Sequence, residues 1–359
     1  MAKSTTTDSG KKLVDLLMKN SKSKFTSRID KSNYFNEEKE LVTTDILLLN
    51  TALSGSLDGG LGNGVTAIAG ESKRFKTMYG LYMVSAFLKK YKEGICIFYD
   101  TEGGASRDYF ESFGIDLSRV IWVPISTVEE LKTEVVNQLE SLKQIDDPTN
   151  KVIIFIDSVG NLASLKETED ALEGSNKADM TRAKQLKSFY RIVTLPTKLL
   201  NIPMVVINHV YKTMAFISED VMSGGTGGTL AADTIIFINK RQIKDSEKDL
   251  EGFTFELKIN KSRFVREGSK FPINVYFNEG IAKYSGLDEL AEDLGVITTG
   301  KNGKSKTLIF DKMEIPEKEN DRNEEFWSFV VDNSDLNERI KNKYKICSPK
   351  IESDTVTDE

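Results

Sequence analysis

The sequence predicts an α/β fold with a mostly parallel central sheet, on three observations. From residue 39 to about 285, short runs rich in Val, Ile and Phe alternate with longer amphipathic segments. The near-continuous apolarity of those runs suits strands covered on both faces, and the segments between them supply the crossovers that parallel strands require. One run, Val65 to Ala69, leads into a loop that opens on Gly70 and ends in Lys76-Thr77 before a helical segment.

Taken in order, residues 1–38 are polar apart from the apolar-periodic stretch Leu13 to Met18, followed by the Ser/Lys-rich linker Asn20 to Lys24. They read as a small N-terminal arm. The core, 39–285, holds the strand candidates Val65 to Ala69, Ile95 to Tyr99, Val120 to Val123, Val152 to Ile156, Met204 to Ile207 and Ile235 to Ile238. Phe253 to Ile259 and Ile273 to Phe277 alternate apolar with polar residues, as an antiparallel edge hairpin would. Residues 286–359 predict a small C-terminal lobe, with an amphipathic helix at Leu287 to Leu294, a charged region around Trp327 and an acidic tail.

At 359 residues and 39% hydrophobic content the chain can bury a real core. Cys96 and Cys347 lie far apart with no CxxC spacing, so neither a disulfide framework nor a zinc site is expected from them. The polar start, Met1 to Lys12, and the lack of an eighteen-residue apolar stretch predict no membrane span and a place in the cytoplasm of a cell or infected host. A net charge of -6 is unlike a general nucleic-acid binder, so any DNA contact must be local.

The loop Gly70-Glu71-Ser72-Lys73-Arg74-Phe75-Lys76-Thr77 stands between strand and helix, where a phosphate-binding loop works. Its backbone N–H groups can face phosphates, Lys76 can reach the β and γ oxygens, and the Thr77 hydroxyl can ligate Mg²⁺. Phe75 replaces the second glycine of the general pattern. Asp157 closes the Val152 to Ile156 run, at the strand edge where ligands sit, either as a holder of Mg²⁺ or as a cap of the next turn. Glu102 follows the Ile95 to Tyr99 run on the same edge and is a candidate to orient an attacking water. His209, the one histidine, follows the Met204 to Ile207 run, as a sensor of the γ-phosphate or as a plain loop residue.

These segments, with Phe98 to Glu102, Ile154 to Ser164, Lys166 to Leu172, Asp179 to Lys184, Gly224 to Gly227, Lys240 to Lys244 and Lys261 to Arg263, resemble the RecA-type recombinases. The branch they are most similar to is the UvsX recombinases of T-even-like bacteriophages, in which the Phe75 departure is also a habit. The resemblance spans about residues 25 to 295 and implies a RecA-like P-loop ATPase core that uses ATP and Mg²⁺. By it, Glu102 matches the catalytic glutamate and Asp157 the acidic Mg²⁺ holder. Tyr109 and Tyr284 match nucleotide-side tyrosines, and Lys261 and Arg263 match cations that cross to a neighbour's γ-phosphate. Taken alone, the tyrosines also fit packing and the cations a solvated strand edge.

The family's two DNA-holding loops correspond here to about Asn161 to Lys184 and Val210 to Gly228. The first region carries Lys177, Arg182 and Lys184, with Lys187 and Arg191 on the helix that follows; the second carries Tyr211, Lys212, Met214, Phe216 and the run from Gly224 and Gly225 to Gly228. No segment resembles a helix that reads a major groove, so binding of single- and double-stranded DNA should ignore sequence. Phe25, in a polar arm, fits docking into a neighbouring copy or packing locally on Tyr34 or Phe35. A self-assembled helical filament, a single-strand-binding protein and a recombination mediator complete the implied partners. The alternatives are a ring helicase, which would carry a larger N-terminal collar than 38 residues, and a regulatory ATPase without DNA.

Overall fold

The computed structural model describes residues 8–23, 25–32, 40–145, 151–174, 180–212, 220–244, 248–277, 280–299, 306–308, 314–315 and 324–346. Lys177, Met214, Phe216, Tyr34, Phe35, Cys347 and the acidic end lie outside them. Contacts divide the chain into Met1–Glu40 and Leu41–Glu359. In the first unit, Asp8–Lys19 is helical and leaves Leu13, Leu16 and Leu17 exposed; Phe25 is 39% exposed.

In the second unit the apolar runs become strands. They are β1 (Gly64–Gly70), β2 (Ile95–Asp100), β3 (Val120–Pro124), β4 (Val152–Asp157), β5 (Pro203–Lys212), β6 (Asp220–Met222), β7 (Thr234–Lys244), β8 (Leu250–Ser262), β9 (Lys270–Tyr276) and β10 (Gly280–Ile281). One sheet holds them in the order β10-β9-β8-β7-β1-β5-β4-β2-β3, with β6 paired to β5. The stretch from β7 to β3 is parallel, and β8, β9 and β10 add antiparallel at the other end.

Because side chains alternate across a strand, each run feeds two cores. Ile68, Phe98, Phe155 and Ile207 face the layer that holds the helix Lys76–Lys90. Ala67, Ile97, Ile154 and Val206 face the helices Val128–Leu142 and Thr181–Leu199. Gly80 permits the close fit on the first face, since a β-carbon there would stand 2.4 Å from the Phe155 ring. Helix starts are marked by Ser106 and Thr127 side chains that accept from backbone N–H groups, and by a capping box of Ser164 with Glu167.

The strand β3 departs from the sequence expectation. It is a sheet edge, with Ile121 50% and Trp122 60% exposed, and is not covered on both faces. Further along, the helix Leu287–Asp293, a three-stranded antiparallel sheet of β11 (Ile297–Thr299), β12 (Lys306–Leu308) and β13 (Glu314–Ile315), and the helices Glu324–Asn333 and Leu336–Tyr344 follow. Leu287, Trp327, Val330 and Ile340 join the same core as Ile68 and Phe155.

Candidate active site

Strand register decides which residues meet at the sheet's carboxyl edge. Gly70 pairs with His209, and Asp100 with Asp157, so four strand ends finish side by side. Beyond them the loop to Lys76 folds over a cleft of about 280 Å³ lined by Ser72, Lys73, Lys76, Thr77, Glu102 and Tyr109, among others.

Two loop residues adopt left-handed backbone, Lys73 at φ 59° and Phe75 at φ 54°. A side chain there costs roughly 1–2 kcal/mol, which is why a glycine is usual. Phe75 offsets part of that by packing its ring 5.1 Å from Phe255 of β8. Arg74 pairs with Glu71 at 2.5 Å and holds the Glu71 carboxyl below its ordinary value. Lys76 is buried and donates to the Glu71 carbonyl at 2.9 Å. Burial lowers its pKa, against the pull of Asp157 and Glu102.

The Thr77 hydroxyl donates to Asp157 Oδ2 at 2.6 Å. Burial pushes the Asp157 carboxyl up to about 6; the Thr77 hydrogen bond opposes this and the Glu102 charge adds to it. A hydroxyl and one carboxylate, both hard oxygen donors beside a phosphate-sized space, fit Mg²⁺, which takes one or two protein ligands and fills its shell from phosphates and water. Among the described residues no cluster of three or more His, Cys, Asp or Glu could hold a metal.

Opposite stands Glu102. Its Oε1 accepts from Ser158 Oγ at 2.7 Å and lies 3.1 Å from His209 Nε2. Burial works against its ionisation, but the Ser158 and His209 hydrogen bonds outweigh it, and the carboxyl is held below its ordinary value. Thr101 Oγ1 clamps Ser158 from both sides, accepting from its N–H and donating to its carbonyl. Gly160 makes room for the histidine, because a β-carbon there would stand 2.4 Å from His209 Cδ2.

Of the other expected nucleotide-side residues, one borders the cleft and three lie away from it. Tyr109 borders the cleft, its ring edge-on to Phe113. Tyr284 stacks on Trp327, hydrogen-bonds Ser328 at 2.9 Å and does not line the cleft. Lys261 donates to the Thr229 and Leu230 carbonyls, and Arg263 pairs with buried Asp233 at 2.5 Å. Both sit where β8 ends beside the start of β7, whose Thr234 is level with Thr66. At about 3.3 Å per residue that is roughly 13 Å back along β1 from Gly70, at the end of the sheet away from the cleft.

Arg182, expected to face DNA, is already engaged. Its guanidinium donates to the carbonyls of Leu162, Val159 and Gly160 and to Ser223 Oγ. Lys184, Tyr211 and Lys212 are exposed. Tyr211 and Lys212 extend β5 and pair antiparallel with β6, so part of the second expected loop is a β-ribbon. Gly224 and Gly225 have positive φ, and the glycine run lies against the helix Thr181–Leu199. A β-carbon on Gly224 would stand 2.4 Å from Leu186, and one on Gly227 2.6 Å from the Lys187 backbone, so packing on this helix calls for glycine at both positions. The sequence assigns no role to Asp100, Gly160 or Phe255, and it marks Ser158 only as a link, with His209, between nucleotide state and DNA grip.

The fold and cleft define a phosphate-loop nucleotide-binding protein of the α/β class, its site at the carboxyl edge of a parallel sheet. The chain belongs to the RecA family: the model of the RecA N-terminal domain matches residues 17–282. It is 48% identical over 287 residues to the "Recombination and repair protein" of Enterobacteria phage T4, covering 80% of this chain and 72% of that one. It is 24% identical over 260 residues to "Protein RecA" of Arthrospira platensis, covering 72% and 67%, and 26% identical over 264 residues to that of Chelativorans sp., covering 72% and 69%. No helix among the described residues is long and apolar enough to cross a membrane.

Proposed function

We propose that this protein is an ATP-driven recombinase that assembles as a helical filament on single-stranded DNA and exchanges strands with a homologous duplex. The observation that carries this is the convergence of Lys76, Thr77, Asp157, Glu102 and His209 on one cleft in a chain of the RecA family.

In this reading ATP occupies the cleft with its phosphates under residues 70–77 and its base toward Tyr109. Thr77 and Asp157 would hold Mg²⁺, which when bound would neutralise phosphate charge. Lys76 places its ammonium on the β and γ oxygens. Glu102 orients the attacking water, and the Ser158 hydroxyl fixes its carboxylate. His209 touches the same carboxylate from the strand that runs out to Tyr211 and Lys212, so a DNA contact at that ribbon and the state of the γ-phosphate can bias one another. Lys177, Lys184 and Phe216 are further candidates for the DNA grip, with Arg182 bracing the loop behind it.

Lys261 and Arg263 are too far from their own cleft to serve it, which supports action on a neighbour's γ-phosphate. Residues 1–38, with Phe25, would then tether each copy to the next, and Tyr284 would approach a nucleotide only at such a junction. A single-strand-binding protein and a mediator are the expected partners, in the cytoplasm of the host.

The test is ATP turnover with and without single-stranded DNA, for the native chain and Glu102→Gln, with filaments followed by electron microscopy. Strong stimulation by DNA, abolished in Glu102→Gln while ATP-dependent filaments persist, supports the recombinase. Turnover indifferent to DNA, with only rings or monomers, sinks it.

A further inference from the structure

We propose that Trp122 is a positioning residue for ATP hydrolysis, acting from the exposed sheet edge through Asp100 on the backbone that carries Glu102. The inference rests on the reading of Glu102 as the residue that orients water.

Asp100 is buried at the end of β2, and its two oxygens face different ways. Oδ1 accepts from the backbone N–H groups of Glu102 at 3.1 Å and Gly103 at 2.8 Å. Those two bonds turn the chain sharply as it leaves the strand and fix where the Glu102 side chain starts. Oδ2 accepts from the indole Nε1 of Trp122 at 3.1 Å. The indole thus sets the rotation of the carboxylate whose other oxygen holds the Glu102 turn.

The site of this tryptophan is otherwise hard to explain. Trp122 is 60% exposed on β3, where a large aromatic gains little from burial, and Trp327, the other tryptophan, is buried in the core. Ile121, its neighbour along the strand, points to the opposite face, is also exposed and has no link to Asp100. The two form a matched pair on one edge, one joined to the site and one not.

Loss of the indole N–H leaves Oδ2 to water and lets the Asp100 carboxylate rotate. Glu102 then samples more orientations while the phosphate loop, held by other residues, still binds nucleotide. The expected signature is a kcat defect without a binding defect.

Two replacements at Trp122 test this. One is Trp122→Phe, and the other is 3-benzothienylalanine incorporated at the same position, which keeps the shape of tryptophan but has no N–H. Both should lower DNA-stimulated kcat by about five- to tenfold, the net worth of one ordinary hydrogen bond, with KM for ATP within about twofold. Ile121→Ala should turn over as the native chain does. In protein labelled with 5-fluorotryptophan, the ¹⁹F signal that disappears in Trp122→Phe should move on addition of a non-hydrolysable ATP analogue, and Asp100→Asn should shift it without nucleotide. Native turnover in the benzothienyl protein, or an equal loss in Ile121→Ala, overturns the proposal. If Glu102→Gln abolishes turnover while both Trp122 replacements are silent, only this inference fails; if Glu102→Gln turns over normally, the reading of Glu102 fails with it.

Discussion

Glu102, in the turn after β2, and His209, on β5, meet with Oε1 and Nε2 3.1 Å apart, and the ring fits there only because residue 160 has no side chain. A methyl group at Gly160 would have to displace the imidazole, since it would lie 2.4 Å from Cδ2.

Gly160→Ala should therefore reproduce the kinetics of His209→Ala, lowering DNA-stimulated turnover by about tenfold. The double variant should be no worse than either single one, because both remove the same contact. Steady-state kinetics of the three proteins give the coupling directly, and additive losses would refute it.

The buried carboxyl of Asp157 makes two pH predictions. Its folded-state pKa, about 6, lies above the ordinary 3.8, so between these values the folded chain binds more protons than the unfolded one. Stability of the nucleotide-free protein should then fall as pH rises through this window, by on the order of 3 kcal/mol from this group. Asp157→Asn should flatten that dependence in chemical denaturation from pH 4 to 7. Mg²⁺ requires the ionised form, so Mg²⁺-dependent nucleotide binding should weaken below about pH 6 by roughly tenfold per unit. Titration with a fluorescent nucleotide at several pH values measures this.

Phe75 sets a left-handed backbone against a ring contact with Phe255. Phe75→Gly removes both and should change the melting temperature by only a few degrees while nucleotide binding persists. Phe75→Val keeps the strain, adds β-branching and loses the contact, so it should cost about 2 kcal/mol and weaken binding. Thermal melts with and without nucleotide separate the two.

Much of this architecture was legible in the sequence, and the exceptions have physical causes. Apolar runs marked the six parallel-region strands because burial on both faces demands them, yet Val120 to Val123 reads like the rest while β3 is an open edge. Hydrophobicity reports what a strand could bury, and neighbours decide what it does. Lys76, Thr77, Asp157, Glu102 and His209 were found because strand ends share an edge. Asp100 and Trp122 were not, since a bond between adjacent strands depends on register, which composition does not carry. The sequence places Arg182 in a cationic cluster at the first DNA loop; folding gives its guanidinium several carbonyl partners.

Placement of Lys261 and Arg263 can be tested by mixing. Lys261→Ala and Glu102→Gln should each be inactive alone. If the cation serves a neighbour, an equimolar mixture regains about a quarter of native turnover, the chance that an intact Glu102 adjoins an intact Lys261. A mixture as inactive as its components places the cation's role within its own chain.

The opposed placement of cleft and cations has an arithmetic consequence for an open row of chains in which each lends Lys261 and Arg263 to the next. One terminal chain has no lender, so n chains complete n − 1 working sites. A dimer would run at half its nominal rate per chain, and a row of hundreds at nearly all of it. The idle terminus keeps its nucleotide uncleaved, so one tip of the row ages more slowly than its interior. The two ends therefore differ in chemistry as well as in shape, and the row acquires a direction in time.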